Sequence, residues 1–86
     1  MIAIELALSP SPARLAARPA HRALLADLHA RGIVVAAGPW ADDSGALILV
    51  RGDRAVADAV LAEDPYYATD GVRVRSMREW TPVVGP

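Results

Sequence analysis

Ile33-Val34-Val35-Ala36-Ala37 and Ala46-Leu47-Ile48-Leu49-Val50 are two unbroken apolar runs, joined by Gly38-Pro39-Trp40-Ala41-Asp42-Asp43-Ser44-Gly45. β-Branched residues stand in both runs and turn formers fill the segment between them. The stretch therefore reads as a hairpin of two strands, about 33–39 and 45–51. A strand that is wet on one face alternates apolar and polar residues. Neither of these does, which is the pattern of strands covered on both sides. Upstream, Ile2, Ile4, Leu6 and Leu8 alternate with Ala3, Glu5 and Ala7, the period of a strand over 2–8 with one strongly apolar face. Ser9-Pro10-Ser11-Pro12 ends it. Ser11 followed by Pro12 has the form of an N-cap and first helical residue, so a short helical turn is expected there. Proline is disfavoured inside a long helix, which places the main helix at 19–31, with Pro19 in its first turn and Gly32 as the stop. Downstream, Asp53 caps a second helix, about 53–63, with Val56, Ala59, Val60 and Glu63 along one side. Asp64-Pro65 ends that helix, because the residue before proline is driven out of the α region. Val72 and Val74 then alternate with Arg73 and Arg75 in a last strand over 72–80.

The order strand, helix, strand, strand, helix, strand is the split βαβ or ferredoxin-like plan, an α+β fold in which both helices cover one face of a four-stranded sheet. Two helices leave the other face bare. Middle strands that are apolar on both faces need something against that bare face, and the simplest cover is the same face of a second copy. The pattern thus predicts a homodimer.

With 86 residues the chain is expected to form a single domain over 1–86. A monomer of this size buries only about 60–65 % of its unfolded surface, and no cysteine is present to add a disulfide. All nine basic residues are arginine, set against ten acidic ones for a net charge of −1. That balance, with no basic run, gives no electrostatic reason to expect nucleic acid. No apolar run has the length of a membrane span, and Met1-Ile2-Ala3-Ile4-Glu5 lacks a basic start; a soluble, cytoplasmic protein is the expectation. Without cysteine and with two histidines, no metal is expected.

His21 shares a helical stripe with Leu24, Leu25 and Leu28, so its imidazole points at the sheet. It reads either as a core histidine satisfied by a carbonyl or as a functional base. His29, near the helix end, reads as a residue favoured by the helix dipole. Asp64 sits on a rigid corner before Pro65 and reads either as a turn aspartate or as the partner that orients an imidazole. Asp42-Asp43 reads as a solvated turn. Arg73 and Arg75 read as edge-strand charges or as receivers of an anion, and Glu5 as a pocket group only if its face lines a cavity. Trp40 and Trp80 read as packing or dimer-contact aromatics, and Tyr67 has no claim beyond its place next to Tyr66.

Taken in order, Arg18-Pro19-Ala20-His21, Ala37-Gly38-Pro39, Ser44-Gly45, Glu63-Asp64-Pro65-Tyr66, Gly71-Val72 and Arg78-Glu79-Trp80 resemble the YciI-like, or YCII-related, proteins. The resemblance runs from the first strand to Trp80. It implies a ferredoxin-like domain that pairs into a dimeric α+β barrel, with a His–Asp dyad in a cleft onto which His21 and Asp64 map. Gly38, Pro39, Ser44 and Tyr66 correspond to pocket-lining, substrate-binding parts of that pattern. One characterised line of the family removes chloride from a hydroxylated aromatic ring. The loop between the middle strands is shorter here than in many members.

These readings lead to a small enzyme, independent of any cofactor, that moves protons on a small oxygenated cyclic molecule, in the manner of a lyase, isomerase or dehydrochlorinase. His21 would be its acid or base and Asp64 its orienting carboxylate. The rival is a non-catalytic dimeric protein that binds a small ligand or assists a metabolic pathway.

Overall fold

The computed structural model describes all 86 residues. In chain order it contains β1 (Ile2–Leu8), α1 (Pro12–Ala30), β2 (Val34–Pro39), β3 (Gly45–Val50), α2 (Arg54–Glu63), a 3₁₀ turn at Pro65–Ala68, and β4 (Val72–Glu79). The strands form one antiparallel sheet in the order β2-β3-β1-β4. Sheet and two helices together are consistent with the ferredoxin-like plan. Pro39, which has no N–H to donate, is tolerated because β2 is an edge strand.

The first helix corrects the sequence reading. It does not start at Pro19 but runs unbroken from Pro12 to Ala30, with Pro19 inside it. Ser11 caps it, its hydroxyl accepting the Arg14 N–H at 3.2 Å, and Pro12 takes the first helical position. Pro19 removes the hydrogen bond to the Leu15 carbonyl, but both residues lie on the exposed side of the helix. Water can therefore take the orphaned carbonyl, and the buried side of the helix is undisturbed. The other end stops as expected. Gly32, at φ 78°, donates to the His29 carbonyl at 3.0 Å, and Ile33 donates to Leu28 at 2.9 Å. These are the paired bonds of a glycine-terminated helix end.

Ile2, Ile4 and Leu6 of β1 lie opposite Val50, Ile48 and Ala46 of β3, all on the face that the helices cover. Val34, Leu28, Ala57, Val60 and Tyr66 complete this core. Each large aliphatic side chain taken from water here contributes roughly 1.5–3 kcal/mol. On α2 the alanine that meets the core is Ala57, not Ala59, beside Val60 as expected, because the buried stripe runs through 57, 60 and 61. A bulge at Val35 lets β2 present both Val34 and Ala37 to the helix side.

The opposite face carries Ala3, Ala7, Ala36, Leu47 and Leu49 around Glu5, and no helix packs there. Leu47 and Leu49 are half-buried, while Ala36 and Gly38 of the edge strand are exposed. No helix of the chain is long and apolar enough to cross a membrane.

Candidate active site

Pro65 forces Asp64 into an extended conformation, φ −113° and ψ 112°, and so turns its carboxylate back from the end of α2. Oδ1 accepts the Tyr66 N–H at 2.9 Å and caps the 3₁₀ turn. Oδ2 lies 2.6 Å from Nδ1 of His21, 43 residues away in the chain. A carboxylate only accepts, so Nδ1 carries the proton and donates it. In the neutral imidazole that leaves Nε2 as the nitrogen with the lone pair. Both side chains are more than nine-tenths buried.

The two tyrosines of the turn enclose the imidazole. Tyr66 stacks flat on it, with ring centroids 3.9 Å apart and planes within 8°. Tyr67 meets it edge-on at 5.3 Å and 87°. The Tyr67 hydroxyl is buried with no hydrogen-bond partner. Burial, and after it the charge on Asp64, push its pKa well above that of an ordinary phenol.

His21 forms part of the wall of a cavity of about 660 Å³ between α1 and the β2–β3 half of the sheet. That volume is in the range of small-molecule sites. Leu6, Leu25, Val34, Ala37 and Ile48 make its apolar surface. Arg14, Arg18 and Arg22 approach from α1, and Asp43 from the β2–β3 turn. Arg14, only 4 % exposed, is clamped by the Ser9 carbonyl at 2.9 Å and by Asp43 at 3.0 Å. The neighbouring Tyr66 hydroxyl, followed by Asp43, outweighs desolvation and pushes the Arg14 pKa up. His29 also faces the cavity, its Nδ1 donating to the Val34 carbonyl at 2.9 Å.

Of the residues singled out in the sequence, His21 and Asp64 are brought into direct contact, and Gly38, Pro39 and Tyr66 line the cavity with His21. Ser44 is not brought there. Its hydroxyl donates to Asp42 at 2.6 Å within the turn, and that bond holds the Asp42 carboxyl below the usual carboxylate range. Asp43 lies in the turn with its side chain 43 % exposed, as a turn aspartate does, but it is also engaged. It occupies a left-handed conformation, φ 60°, and binds Arg14 across the cavity rim. Gly45 makes this turn possible: a Cβ there would lie 2.5 Å from the Leu6 carbonyl oxygen and 2.9 Å from the Trp40 indole. Glu5, Arg73, Arg75, Trp40 and Trp80 lie outside the cavity.

The sequence reading misses Arg14, Asp43 and the packing role of Tyr67, and it gives His29 only a helix-end role. The i, i+4, i+8 spacing of Arg14, Arg18 and Arg22 is the signal in the sequence for a basic stripe on one helix face. No group of three or more histidine or carboxylate side chains converges to hold a metal.

The family model of the YCII-related domain matches residues 2–81 of the chain. No curated protein and no solved structure matches it significantly.

Proposed function

The chain belongs to the YCII-related domain family, and from that premise we propose that it is a small acid–base enzyme in which His21 transfers a proton to and from carbon. The observation that carries this reading is the 2.6 Å contact of His21 Nδ1 with Asp64, on the wall of a cavity large enough for a small cyclic molecule. With Nδ1 held by the carboxylate, Nε2 takes a proton from a carbon that an adjacent oxygen group has made acidic. Asp64 keeps the tautomer and steadies the imidazolium, and the Tyr66 ring stacked beneath adds a favourable surface for the cation. Returned to a different atom, that proton gives isomerisation; expulsion of a neighbouring leaving group gives elimination. A positioned base of this kind supplies roughly 10²–10⁴-fold, which suits an already activated carbon acid and needs no cofactor. Gly38, Pro39 and Tyr66 shape the substrate's place, and Ser44 would join them only if the turn opened.

The apolar character of most of the cavity wall favours a second reading, a non-catalytic ligand-binding protein. Two further elements belong to the proposal. The bare sheet face, with Leu47 and Leu49, pairs with the same face of a second copy to close a dimeric barrel, and the protein works in the cytoplasm.

Proton exchange tests the reading while the substrate is still unidentified. A panel of small cyclic ketones, enols and lactones is incubated with the protein in D₂O and followed by proton NMR. Loss of a C–H signal that depends on His21, and stops in His21→Gln, supports the enzyme. Saturable binding without exchange for every compound supports the binding protein instead.

A further inference from the structure

The cavity holds more positive charge than its own residues balance. Arg14, Arg18 and Arg22 lie along one face of α1 and all reach it, whereas Asp43 is the one carboxylate in its wall. Asp43 is shared, 3.0 Å from Arg14 and 3.9 Å from Arg18. Arg22 pairs with no carboxylate at all. This excess sits in a chain whose net charge is −1, so it is local and not a consequence of overall composition. The opposite end of the cavity differs. There His29 spends its Nδ1 proton on Val34, and the walls are Leu25, Ala26 and Val34.

Resting on the acid–base reading above, we propose that the substrate is a carboxylate: a small, mainly apolar body whose one anionic end is held by Arg18 and Arg22. Two guanidinium groups four residues apart stand on adjacent turns and can share a planar oxyanion. Arg14 is fixed through Nε on Ser9 and Nη2 on Asp43, and its buried Nη1, which has no partner, adds a further donor beside them. His21 lies three residues from Arg18 on the same helix, where side chains start about 5–6 Å apart at Cβ. The proton-bearing carbon therefore lies a few bonds from the carboxylate, and the apolar remainder extends toward Leu25 and Val34. The carboxylate also selects direction, since it fixes which end of the molecule meets His21.

The test is binding, so it fails independently of turnover. Acetate, cyclohexanecarboxylate and benzoate are each titrated beside the matching neutral amide, with inorganic phosphate as a further arm, and followed by NMR shifts of the His21 ring and the α1 amides. At least one acid is expected to bind about tenfold or more tightly than its amide, with affinity falling as salt is added. Arg22→Gln and Arg18→Gln should each remove most of that preference while leaving amide binding unchanged, and Arg22→Lys should restore part of it. Equal binding of acids and amides, no saturable binding by any acid, or a preference for phosphate over all three acids would each overturn the proposal. If acids bind as expected while no C–H exchange is ever seen, the carboxylate site stands and the catalytic reading falls.

Discussion

Asp64→Asn sets two neighbours of one side chain against each other. In the native site Oδ1 accepts from the Tyr66 N–H and Oδ2 accepts from His21 Nδ1. Asparagine has one oxygen and one NH₂, so it can accept from only one of these groups. The backbone N–H of Tyr66 is a fixed donor, whereas an imidazole can move its proton. The oxygen should therefore stay on Tyr66, the amide should donate to Nδ1, and His21 should switch to the tautomer protonated at Nε2. A charge-assisted bond of about 1.5–3 kcal/mol becomes a neutral one of about 0.5–1.5 kcal/mol, a loss of about 1 kcal/mol. For a domain of this size that lowers Tm by about 4–8 °C. Asp64→Ala leaves both the Tyr66 N–H and His21 Nδ1 buried without a partner, which costs about 2–6 kcal/mol. Long-range nitrogen–proton NMR of the His21 ring reads the tautomer, and thermal melts read the cost. An Asn variant that keeps its Nδ1 proton, or that melts as low as the Ala variant, would refute the assignment of the two oxygens.

The remaining expectations concern the imidazole, the buried phenol and the open face. His21→Ala should be costly as well as inactive, by about 3–5 kcal/mol, because it strands the buried Asp64 charge; His21→Gln, which can still donate to Asp64, should melt closer to wild type while losing all proton exchange. Tyr67→Phe should stabilise the protein by about 1 kcal/mol at neutral pH in denaturant titrations, since it deletes a hydroxyl buried without a partner. The same phenol makes stability fall with alkali. Its native pKa is raised, so above about pH 10 the unfolded chain releases the proton first and gains relative to the fold; in Tyr67→Phe that part of the alkaline loss should disappear. Leu47→Lys, on the sheet face that no helix covers, should convert a dimer to monomers in sedimentation equilibrium without loss of secondary structure. A wild-type protein that is already monomeric at micromolar concentration would remove the basis for that variant.

Much of this architecture is legible in the residues alone, because local chemistry and tertiary burial point the same way. The alternation over 2–8 puts Ile2, Ile4 and Leu6 on one face, and that face is the core. Gly32 ends its helix as a left-handed glycine does. The family resemblance is carried by short motifs spread over the chain, and the family match spans the same region. Pro19 misleads because the rule against proline in helices presumes that its lost acceptor is buried, and here it faces water. The ion pair of Asp43 is invisible because a half-exposed turn aspartate shows no partner until the chain folds a buried arginine against it from 29 residues away. The contact between His21 and Asp64 is not written in either residue alone. A histidine on an apolar stripe and an aspartate before proline are each ordinary, and only the packing of α1 against the turn after α2 makes them neighbours.

The proline inside α1 has a mechanical consequence for the cavity. Without the bond from residue 19 to residue 15, the solvent side of the helix lacks one rung, while the bonds on either side carry the helix through unbroken. The turns before it carry Arg14 and Arg18 and are moored to the hairpin tip through Asp43; the turn after it carries His21 and is moored to Asp64. Rim and base are thus anchored separately on one helix, with the missing rung between their anchors.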